Sequence, residues 1–546
     1  MKTSAKIVHG ATNFILGAAL VLGSFAAACG GGGRTFTPPP PPGPGPQGNY
    51  SLASLNGTYA FSMSGTSNSL FAPSIARIGS FHADGQGNIT MAIEDVNDGG
   101  SFSTFNFTAA PASTYTVAAD GKGTLTLSHP DPANSSVADV FTFSIVLTST
   151  SGGLMVETDG SSTMAGNFRL QNITNTFATA YAFDFSGLDL GSGDSASFVG
   201  QFTTNGVSGV TGGVMDVNDG ASPTGPLTIQ PGTIVPDAVN FSNFGRGTLT
   251  LTTTVSSQIL NLNYVFYMVD ATHMVFVEND SIAETTGSAI AQNNVPATVA
   301  ALPGSFVFAV GGGAFSTNLF GPLARAGRFT ADANGALTSV ALDEDFVGGV
   351  NVFPASGGFS NISFTIDPAG TGRGTLNFTD VSTNEDFVFI FYLASPTQGF
   401  MQDNSASVVA DGTITAQSGA FTAASMAGQY AINWSGVNLV SAFEEDFVGV
   451  LPISSASSNN ISNGVLDFTE LGDGKIFTDI TANGFFTLQG DGSLGGAQGN
   501  ALQLTTLSKA PSTTFNFRAY VINSNTILIV GVDGERVALG TLIRQQ

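Results

Sequence analysis

The sequence has 546 residues, of which 42% are hydrophobic and 10% charged, so it is neither an intrinsically disordered chain nor a single small domain. With 15 basic against 39 acidic residues the net charge is −24, which disfavours nucleic acid and anionic membrane surfaces as partners. The one cysteine, Cys29, excludes a disulfide scaffold within the chain.

The first 28 residues have the form of a secretory signal. Lys2 and Lys6 precede the apolar run FILGAALVLGSFAAAC, whose last residues before Cys29 are small. We predict a signal peptide over 1–28 and a tether over 29–50. The tether prediction rests on GGGGRTFTPPPPPGPGPQG, which joins flexible glycine to a stiff polyproline-like spacer.

Three landmarks recur along the rest of the chain. Each copy opens on an aromatic-x-apolar pair such as Tyr59 and Phe61, and contains a GTLTL-like phrase that starts at Gly123, Gly247 or Gly374, with a weaker version at Gly499. Each copy closes on a glycine followed five residues later by glutamine: Gly166 and Gln171, Gly287 and Gln292, Gly412 and Gln417, Gly540 and Gln545. The landmarks predict four tandem domains over 51–171, 172–292, 293–417 and 418–546, each large enough to bury its own core.

Each copy divides into about eight short alternating segments joined by Asp-Gly and Asn-Gly turns, which favour hairpins. In the segment around Phe143, the residues Phe141, Phe143, Ile145 and Leu147 share one face, and we expect the other face to contact water. The predicted fold is all-β: four antiparallel meander domains of about eight strands, with an up-and-down β-barrel favoured over a β-sandwich because closure removes sheet edges.

The recurring phrase predicts a tight hairpin. Leu125 and Leu127 should face one side of the strand and the threonines between them the other. The basic residue of the phrase (Lys122, Arg246 or Arg373) is expected to lie exposed at the turn.

Acidic residues recur near the predicted end of the third strand, where EDVNDGG from Glu94 matches MDVNDGA from Met215. Clustered carboxylate and amide oxygens suit Ca²⁺, although the spacing is not that of an EF-hand. A solvated turn is the alternative interpretation. The candidate calcium ligands are Asp95, Asp98, Asp216, Asp219, Glu344 and Asp479. No other cofactor is predicted.

Other chemical motifs are weak. The four histidines lack zinc spacing, and the motif EDFV starts at Glu344, Glu385 and Glu445, where an acidic residue precedes an aromatic that enters a strand. The single tryptophan, Trp434, is expected in the core.

The segment Ala26-Ala27-Ala28-Cys29 resembles the bacterial lipoprotein signal, although Ala26 stands where that signal usually has leucine. With the repeats, the chain resembles bacterial surface lipoproteins made of tandem β domains. The resemblance implies export, lipidation such as palmitate at Cys29, and anchoring at the outer membrane or cell surface, with Gly30 favouring the outer membrane.

Three hypotheses about function follow. The first is a non-enzymatic, lipid-anchored binding, adhesion or scaffold module, whose partners besides the membrane are an unknown polymer, glycan or small apolar ligand. The second is a hydrolase of envelope or extracellular polymers, with its site in the fourth domain near Trp434 and the Glu444-Glu445-Asp446 run. The third is a spacer that binds nothing.

Overall fold

The computed structural model describes residues 49–546 except 68–73, 108–112, 131–137, 256, 303, 316–319, 354–357, 420, 456–459, 471–474, 488–500 and 508–511. The described chain is all-β, as predicted, with single helical turns at Leu52–Ser54, Phe241–Phe244, Val299–Ala301 and Ala423–Met426. Among the helices of these described ranges, none has the length and apolar character needed to cross a membrane. The predicted signal peptide, Cys29 and the tether up to residue 48 lie outside the described residues.

The strands form four antiparallel groups, which we call barrels 1 to 4 in chain order. Barrel 1 contains β1 (Asn56–Ser67), β2 (Ser74–Asp84), β3 (Asn88–Asp98), β4 (Ser101–Phe107), β5 (Ser113–Val117), β6 (Lys122–Pro130), β7 (Ala138–Ser149), β8 (Gly152–Glu157) and β9 (Ser162–Leu170). Barrel 2 contains β10 (Ala180–Asp189), β11 (Asp194–Thr204), β12 (Gly209–Asp219), β13 (Ser222–Pro236), β14 (Arg246–Val255), β15 (Gln258–Asp270), β16 (His273–Glu278) and β17 (Ala283–Ala291).

The other two barrels repeat the pattern. Barrel 3 contains β18 (Ser305–Phe315), β19 (Phe320–Ala331), β20 (Leu337–Phe346), β21 (Gly349–Phe353), β22 (Phe359–Ile366), β23 (Arg373–Asp380), β24 (Asp386–Ser395), β25 (Gln398–Asp403) and β26 (Val408–Ala416). Barrel 4 contains β27 (Gly428–Asn438), β28 (Phe443–Ile453), β29 (Ile461–Glu470), β30 (Lys475–Phe486), β31 (Ala501–Thr506), β32 (Thr514–Asn523), β33 (Thr526–Gly531) and β34 (Arg536–Arg544).

The predicted barrel topology is confirmed. Barrels 2 and 4 close through consecutive hairpins and a pairing of first with last strand, and barrel 1 closes because β3 pairs with both β2 and β5. Barrel 3 is open between β21 and β22 in the described residues. The fourth strand of barrel 2, β13, is one long strand, whereas barrels 1 and 3 have two shorter strands in its place, β4 and β5 or β21 and β22. Strand β4 was not predicted from the sequence.

Each barrel encloses its own hydrophobic cluster. Leu125, Leu127, Phe143 and Ile145 lie inside barrel 1, so the alternation predicted for their strands is correct. Trp434 is buried in barrel 4, as predicted, and stacks on Phe447 with ring centroids 3.8 Å apart. Side chains therefore fill the barrel interiors.

A second set of apolar clusters lies between the barrels, outside their interiors. Barrel 1 packs on barrel 2, barrel 2 on barrel 3, barrel 3 on barrel 4, and barrel 4 on barrel 1. At each contact the first strands of one barrel meet the last three strands of its neighbour. The four barrels thus form a closed ring, and we call the contacts joints 1/2, 2/3, 3/4 and 4/1.

The outer faces of strands in these joints are buried. In β7, Ser144 and Val146 point away from the interior and are at most 2% exposed, so the expectation of a wet outer face is wrong for this strand. The cause is the neighbouring barrel, since Val146 belongs to the apolar cluster of joint 4/1.

The ring has two distinct faces. The connections between barrels lie at one end of every barrel, which we call the linker rim. The first strand of each barrel ends, and the second begins, at the other end, which we call the distal rim. Distal loops of neighbouring barrels touch: a Cβ on Gly100 would lie 2.5 Å from Leu190, and one on Gly348 would lie 2.6 Å from the Gly534 carbonyl. All four distal rims therefore lie on the same side of the ring.

Candidate functional site

The closing glutamines bind the barrel that follows. The side-chain amide of Gln171 donates to the carbonyls of Phe244 (2.8 Å) and Met268 (2.6 Å), and that of Gln292 to those of Thr371 and Leu393 (2.8 Å each). Gln417 repeats one of these bonds at joint 3/4, to the carbonyl of Val521 (2.7 Å). The third landmark of the sequence is therefore an inter-barrel hydrogen bond.

Joint 4/1 uses the same device without a connecting peptide. Gln545 donates to the carbonyls of Asp120 (2.7 Å) and Leu147 (2.8 Å) in barrel 1. The next backbone amide, that of Gln546, donates to the Thr148 carbonyl, just as the Asn172 amide donates to Val269 at joint 1/2. Joint 4/1 is thus equivalent in geometry to the joints that the chain crosses covalently.

The glycine before the recurring phrase makes room for this contact. Gly121, Gly245 and Gly372 have φ of +87°, +69° and +79°, a backbone conformation that favours glycine. A Cβ at these positions would also lie 2.6, 3.1 and 2.9 Å from the amide nitrogen of the closing glutamine. The second and third landmarks therefore meet in space, across each of three joints.

The basic residue of the phrase forms an ion pair across the joint. Arg246 contacts the buried Asp95 of barrel 1 through Nε (2.7 Å) and Nη2 (2.9 Å), and Tyr267 donates to the same carboxylate (2.6 Å). Arg373 and Tyr392 contact Asp216 in the same way at joint 2/3. The expectation that this residue is exposed at a turn is wrong, because the neighbouring barrel covers it.

The other two joints use variations of this arrangement. At joint 3/4, Tyr520 donates to Asp343 (2.6 Å) and Arg518 lies 3.8 Å from it. At joint 4/1, Lys122 lies 2.9 Å from Asp467 and also contacts Asp479. Arg518 comes from β32 and not from the phrase, so the sequence pattern gave no sign of it.

The predicted calcium ligands are not equivalent in position. Asp95 and Asp216 lie on the outer faces of β3 and β12, whereas Glu344 points into barrel 3 and Asp479 lies on β30, the fourth strand and not the third. The third-strand acids in equivalent contacts are Asp343 and Asp467. Asp98 and Asp219 end their strands on the distal rim. In the described residues, no group of three or more His, Cys, Asp or Glu side chains is placed to hold a metal ion.

Barrels 1 and 3 carry a buried arginine that sequence reasoning missed. Arg77 lies 3.0 Å from Glu94 and 3.7 Å from Glu157, and burial raises the pKa of Glu94 to about 7. Arg77 pairs with Met63 of the first strand, which points into the barrel, so the strand register places Arg77 on the inner face as well.

In barrel 3, Arg325 occupies the corresponding position opposite Val310. It contacts Glu344 (2.7 Å), Asp403 (2.5 Å) and Glu385 (3.1 Å). Barrels 2 and 4 have phenylalanine there, Phe198 and Phe447. Barrels 1 and 3 therefore place an arginine where barrels 2 and 4 place a phenylalanine.

The acidic run of the fourth domain is divided between joint 4/1 and the interior of barrel 4. In the joint, Glu444 accepts a hydrogen bond from Thr66 of barrel 1. Inside the barrel, Glu445 accepts from Arg536 at 2.6 Å, and the Arg536 guanidinium lies over the ring of the core residue Phe515. Asp446 is fully buried. Burial raises the pKa of Asp446 to about 8 and that of Glu444 well above its usual range. All three residues are at most 3% exposed.

The distal rim combines acidic groups with exposed apolar side chains. Val440 is 80% exposed, and all four barrels contribute further exposed residues at or near this rim. They are Val140, Ile259, Ile282, Val350, Val381, Phe443, Ile476 and Leu507. Scattered exposed apolar residues are normal, and some lie at the linker rim, but nine of the 16 large ones in the described residues lie at or near the distal rim. Their number there, together with the carboxylates, makes this face the candidate interaction surface.

No protein-family model matches the chain, and no curated protein matches its sequence. Among solved structures, the chain is similar to a variant of the vaccine antigen transferrin-binding protein B (TbpB) from Haemophilus parasuis Hp5. The two are 13% identical with a TM-score of 0.17, over 72% of this chain and 83% of that one. It is also similar to intact Ap-TbpB, which has N and C lobes, at 12% identity and a TM-score of 0.18, over 95% of this chain and 99% of that one. These scores are too low to transfer any property to this chain.

Proposed function

We propose that the protein is a lipid-anchored, envelope-exposed scaffold that binds its partner without catalysis, through the distal rim of the ring. The observation that carries the proposal is the separation of the two faces. Tyr50, where the predicted tether enters the described structure, lies at the linker rim: its hydroxyl donates to the Gln546 carbonyl and its amide to the Ala119 carbonyl. A tether to Cys29 would therefore hold the linker rim towards the membrane and the distal rim away from it.

The ring supports binding by many weak contacts at once. Four rims on one side of the ring lie at fixed spacing, so a partner with repeated features that binds one rim engages the next at a high effective concentration. The carboxylates repel polyanions, so the partner class is a neutral or cationic polymer or a basic protein surface with apolar groups.

Anchoring is tested by expressing the chain and a Cys29→Ser variant in a Gram-negative host and separating membrane from soluble fractions. We expect lipid on the cysteine of the mature chain, shown by mass spectrometry, and release of the variant from the membrane. An unmodified cysteine and equal fractionation of both proteins would contradict the anchor.

Binding is tested on arrays of neutral glycans, chitosan-like cationic polymers and basic proteins. The double variant Val440→Ser/Phe443→Ser changes the distal rim, and Val207→Ser/Val239→Ser changes equally exposed residues of the linker rim. We expect at least a tenfold loss of binding for the distal variant and no change for the linker-rim variant. Equal losses, or no binding by the parent chain, would contradict the assignment of this face.

A further inference from the structure

A small cavity lies at the centre of the ring, where barrels 1, 2 and 3 meet. Its volume is about 30 Å³, room for one water molecule or one ion. Gly65, Gly187 and Gly312, which lie on the first strands of the three barrels, line it together. A Cβ on each of these glycines would lie within 2.1 Å of a backbone carbonyl of the last strand of the same barrel, so the first and last strands approach closely beside the cavity.

The polar side chains around the cavity carry only oxygen atoms. Glu284 of barrel 2 and Asp411 of barrel 3 supply carboxyl groups, and the residues are 3% and 5% exposed. The other polar side chains are hydroxyls, among them Ser64, Ser186 and Ser195. No Lys, Arg or His is among the described residues that line the cavity, and carboxylate and hydroxyl oxygens are the ligands that a hard cation prefers.

Two of these hydroxyls have no partner in the described structure. Ser186 is 5% exposed and Ser195 is 4% exposed, and the Oγ atom of each makes no hydrogen bond to any described residue. Buried hydroxyls are normally hydrogen-bonded, so each of these oxygens is available to a species inside the cavity.

Glu284 is held at the cavity by barrel 1. Its Oε2 accepts from Ser74 Oγ (2.8 Å) and from the Gly99 amide (2.9 Å) across joint 1/2. Burial raises the pKa of this carboxyl well above its usual range, and the charge of Asp98 raises it further.

We propose that this cavity binds one Ca²⁺, with Glu284, Asp411 and the hydroxyls of Ser186 and Ser195 among its oxygen ligands. Ca²⁺ suits the site better than Mg²⁺ because it accepts six to eight oxygens in variable geometry, whereas Mg²⁺ requires a near-ideal octahedron. The bound ion would link barrels 2 and 3 directly, and barrel 1 through the hydrogen bonds to Glu284. Its ligands differ from the residues that the sequence pattern suggested.

The test is isothermal titration calorimetry of the full chain with CaCl₂ and, separately, MgCl₂. We expect one Ca²⁺ per chain, bound at least tenfold more tightly than Mg²⁺. Glu284→Gln and Asp411→Asn should each weaken Ca²⁺ binding at least tenfold. The control is Glu535→Gln, which changes an exposed carboxylate of the distal rim.

The double variant Ser186→Ala/Ser195→Ala keeps both carboxyls and changes no hydrogen bond of the described structure, so it should fold. We expect it to weaken Ca²⁺ binding several-fold and to reduce the rise in Tm that Ca²⁺ gives the parent chain. Absence of Ca²⁺ binding, or weakening by Glu535→Gln equal to that by Glu284→Gln, would overturn the proposal. The proposal would also be overturned if Ca²⁺ bound the serine double variant as tightly as the parent chain and also bound Glu284→Gln or Asp411→Asn, whichever of the two folds, as tightly as the parent chain.

Discussion

At the scale of single residues, the closing glutamines show why a side-chain amide recurs at a fixed place. Among the described strands, no strand of one barrel pairs with a strand of the next, so backbone hydrogen bonds of a sheet cannot join two barrels. The side-chain amide of each closing glutamine instead donates to backbone carbonyls of the neighbouring barrel. Because a carbonyl left without a donor in a buried joint is costly, the amide matters more than the size of the side chain.

Gln292→Ala removes the donor shared by the carbonyls of Thr371 and Leu393. We expect the free energy of unfolding to fall by about 1–3 kcal/mol, since two buried carbonyls lose their partner. Urea unfolding measures the change, and Gln230→Ala on the exposed face of β13 is the matched control. Equal effects of the two substitutions would show that the joint does not depend on this bond.

Asp446 is a second residue whose effect is specific to one joint. Asp446 corresponds in position to Ala76 in barrel 1 and Ala324 in barrel 3. Each of the three comes directly before the second-strand residue that pairs with the equivalent inward residue of the first strand. Burial raises the pKa of Asp446 from 3.8 to about 8. The native state therefore keeps a proton that the unfolded chain has lost, and the stability due to this group falls as pH rises from about 4 to about 8.

Asp446→Ala should therefore stabilise the protein at pH 8 by more than at pH 5 and flatten the dependence of stability on pH. Urea unfolding at the two pH values checks this, with Glu535→Ala as a control for an exposed carboxylate. A variant less stable than the parent at pH 8 would show that the carboxyl has a partner that burial alone does not reveal.

At the scale of strands, the sequence predicts what lies inside a barrel better than what lies outside it. Leu125 and Leu127 alternate with threonines, so the inward face of β6 is evident from the pattern. The outward residues of the joint strands mix small or polar side chains, such as Ala60 and Ser144, with aliphatic ones, such as Ile78. Such a mixture does not indicate what covers the face. Burial by a neighbouring barrel was therefore not predictable from strand patterns.

The ion pairs of the joints were equally out of reach. Asp95 and Arg246 stand 151 residues apart, and only the ring brings them together. The available signal was that an acidic residue like Asp95 and a basic residue like Arg246 recur in other copies. The basic residue was interpreted as part of an exposed hairpin turn, so its pairing with the acidic residue was not predicted. The charged content of 10%, low for a globular protein, was the other hint that much outer surface is buried.

Arg246→Ala leaves Asp95 buried with hydrogen bonds from Tyr267 and Thr104 but no cation. We expect a loss of about 3 kcal/mol in the free energy of unfolding, because an uncompensated buried charge remains. Adding Asp95→Asn should recover part of this loss. Urea unfolding of the parent, both single variants and the double variant measures the coupling, and strictly additive effects would contradict a direct pair.

At the scale of the whole molecule, the ring makes the barrels interdependent. The repeats predict that each copy has its own hydrophobic core, and each barrel encloses such a core. Barrel 1 alone would nevertheless expose Ile78 and Ile93 on one side and Val146, Leu154 and Val156 on the other. Two apolar faces on one small barrel favour association.

A fragment of residues 49–171 should therefore self-associate or bind a hydrophobic dye, whereas the full chain should do neither. Light scattering at several concentrations measures the association, and an Ile93→Thr/Val156→Thr variant of the fragment should show less of it. A monodisperse, dye-free fragment would indicate that the joints contribute little.

Closure between barrels 4 and 1 is the claim on which the two faces, the buried joints and the central cavity depend. Carbodiimide cross-linking of the dilute full chain, followed by peptide mass spectrometry, tests it most directly, because Lys122 lies 2.9 Å from Asp467. The closed ring predicts an amide linking Lys122 to Asp467 or Asp479 within a single chain. Efficient cross-linking elsewhere with no link between barrels 1 and 4 would show that the four barrels form an open string.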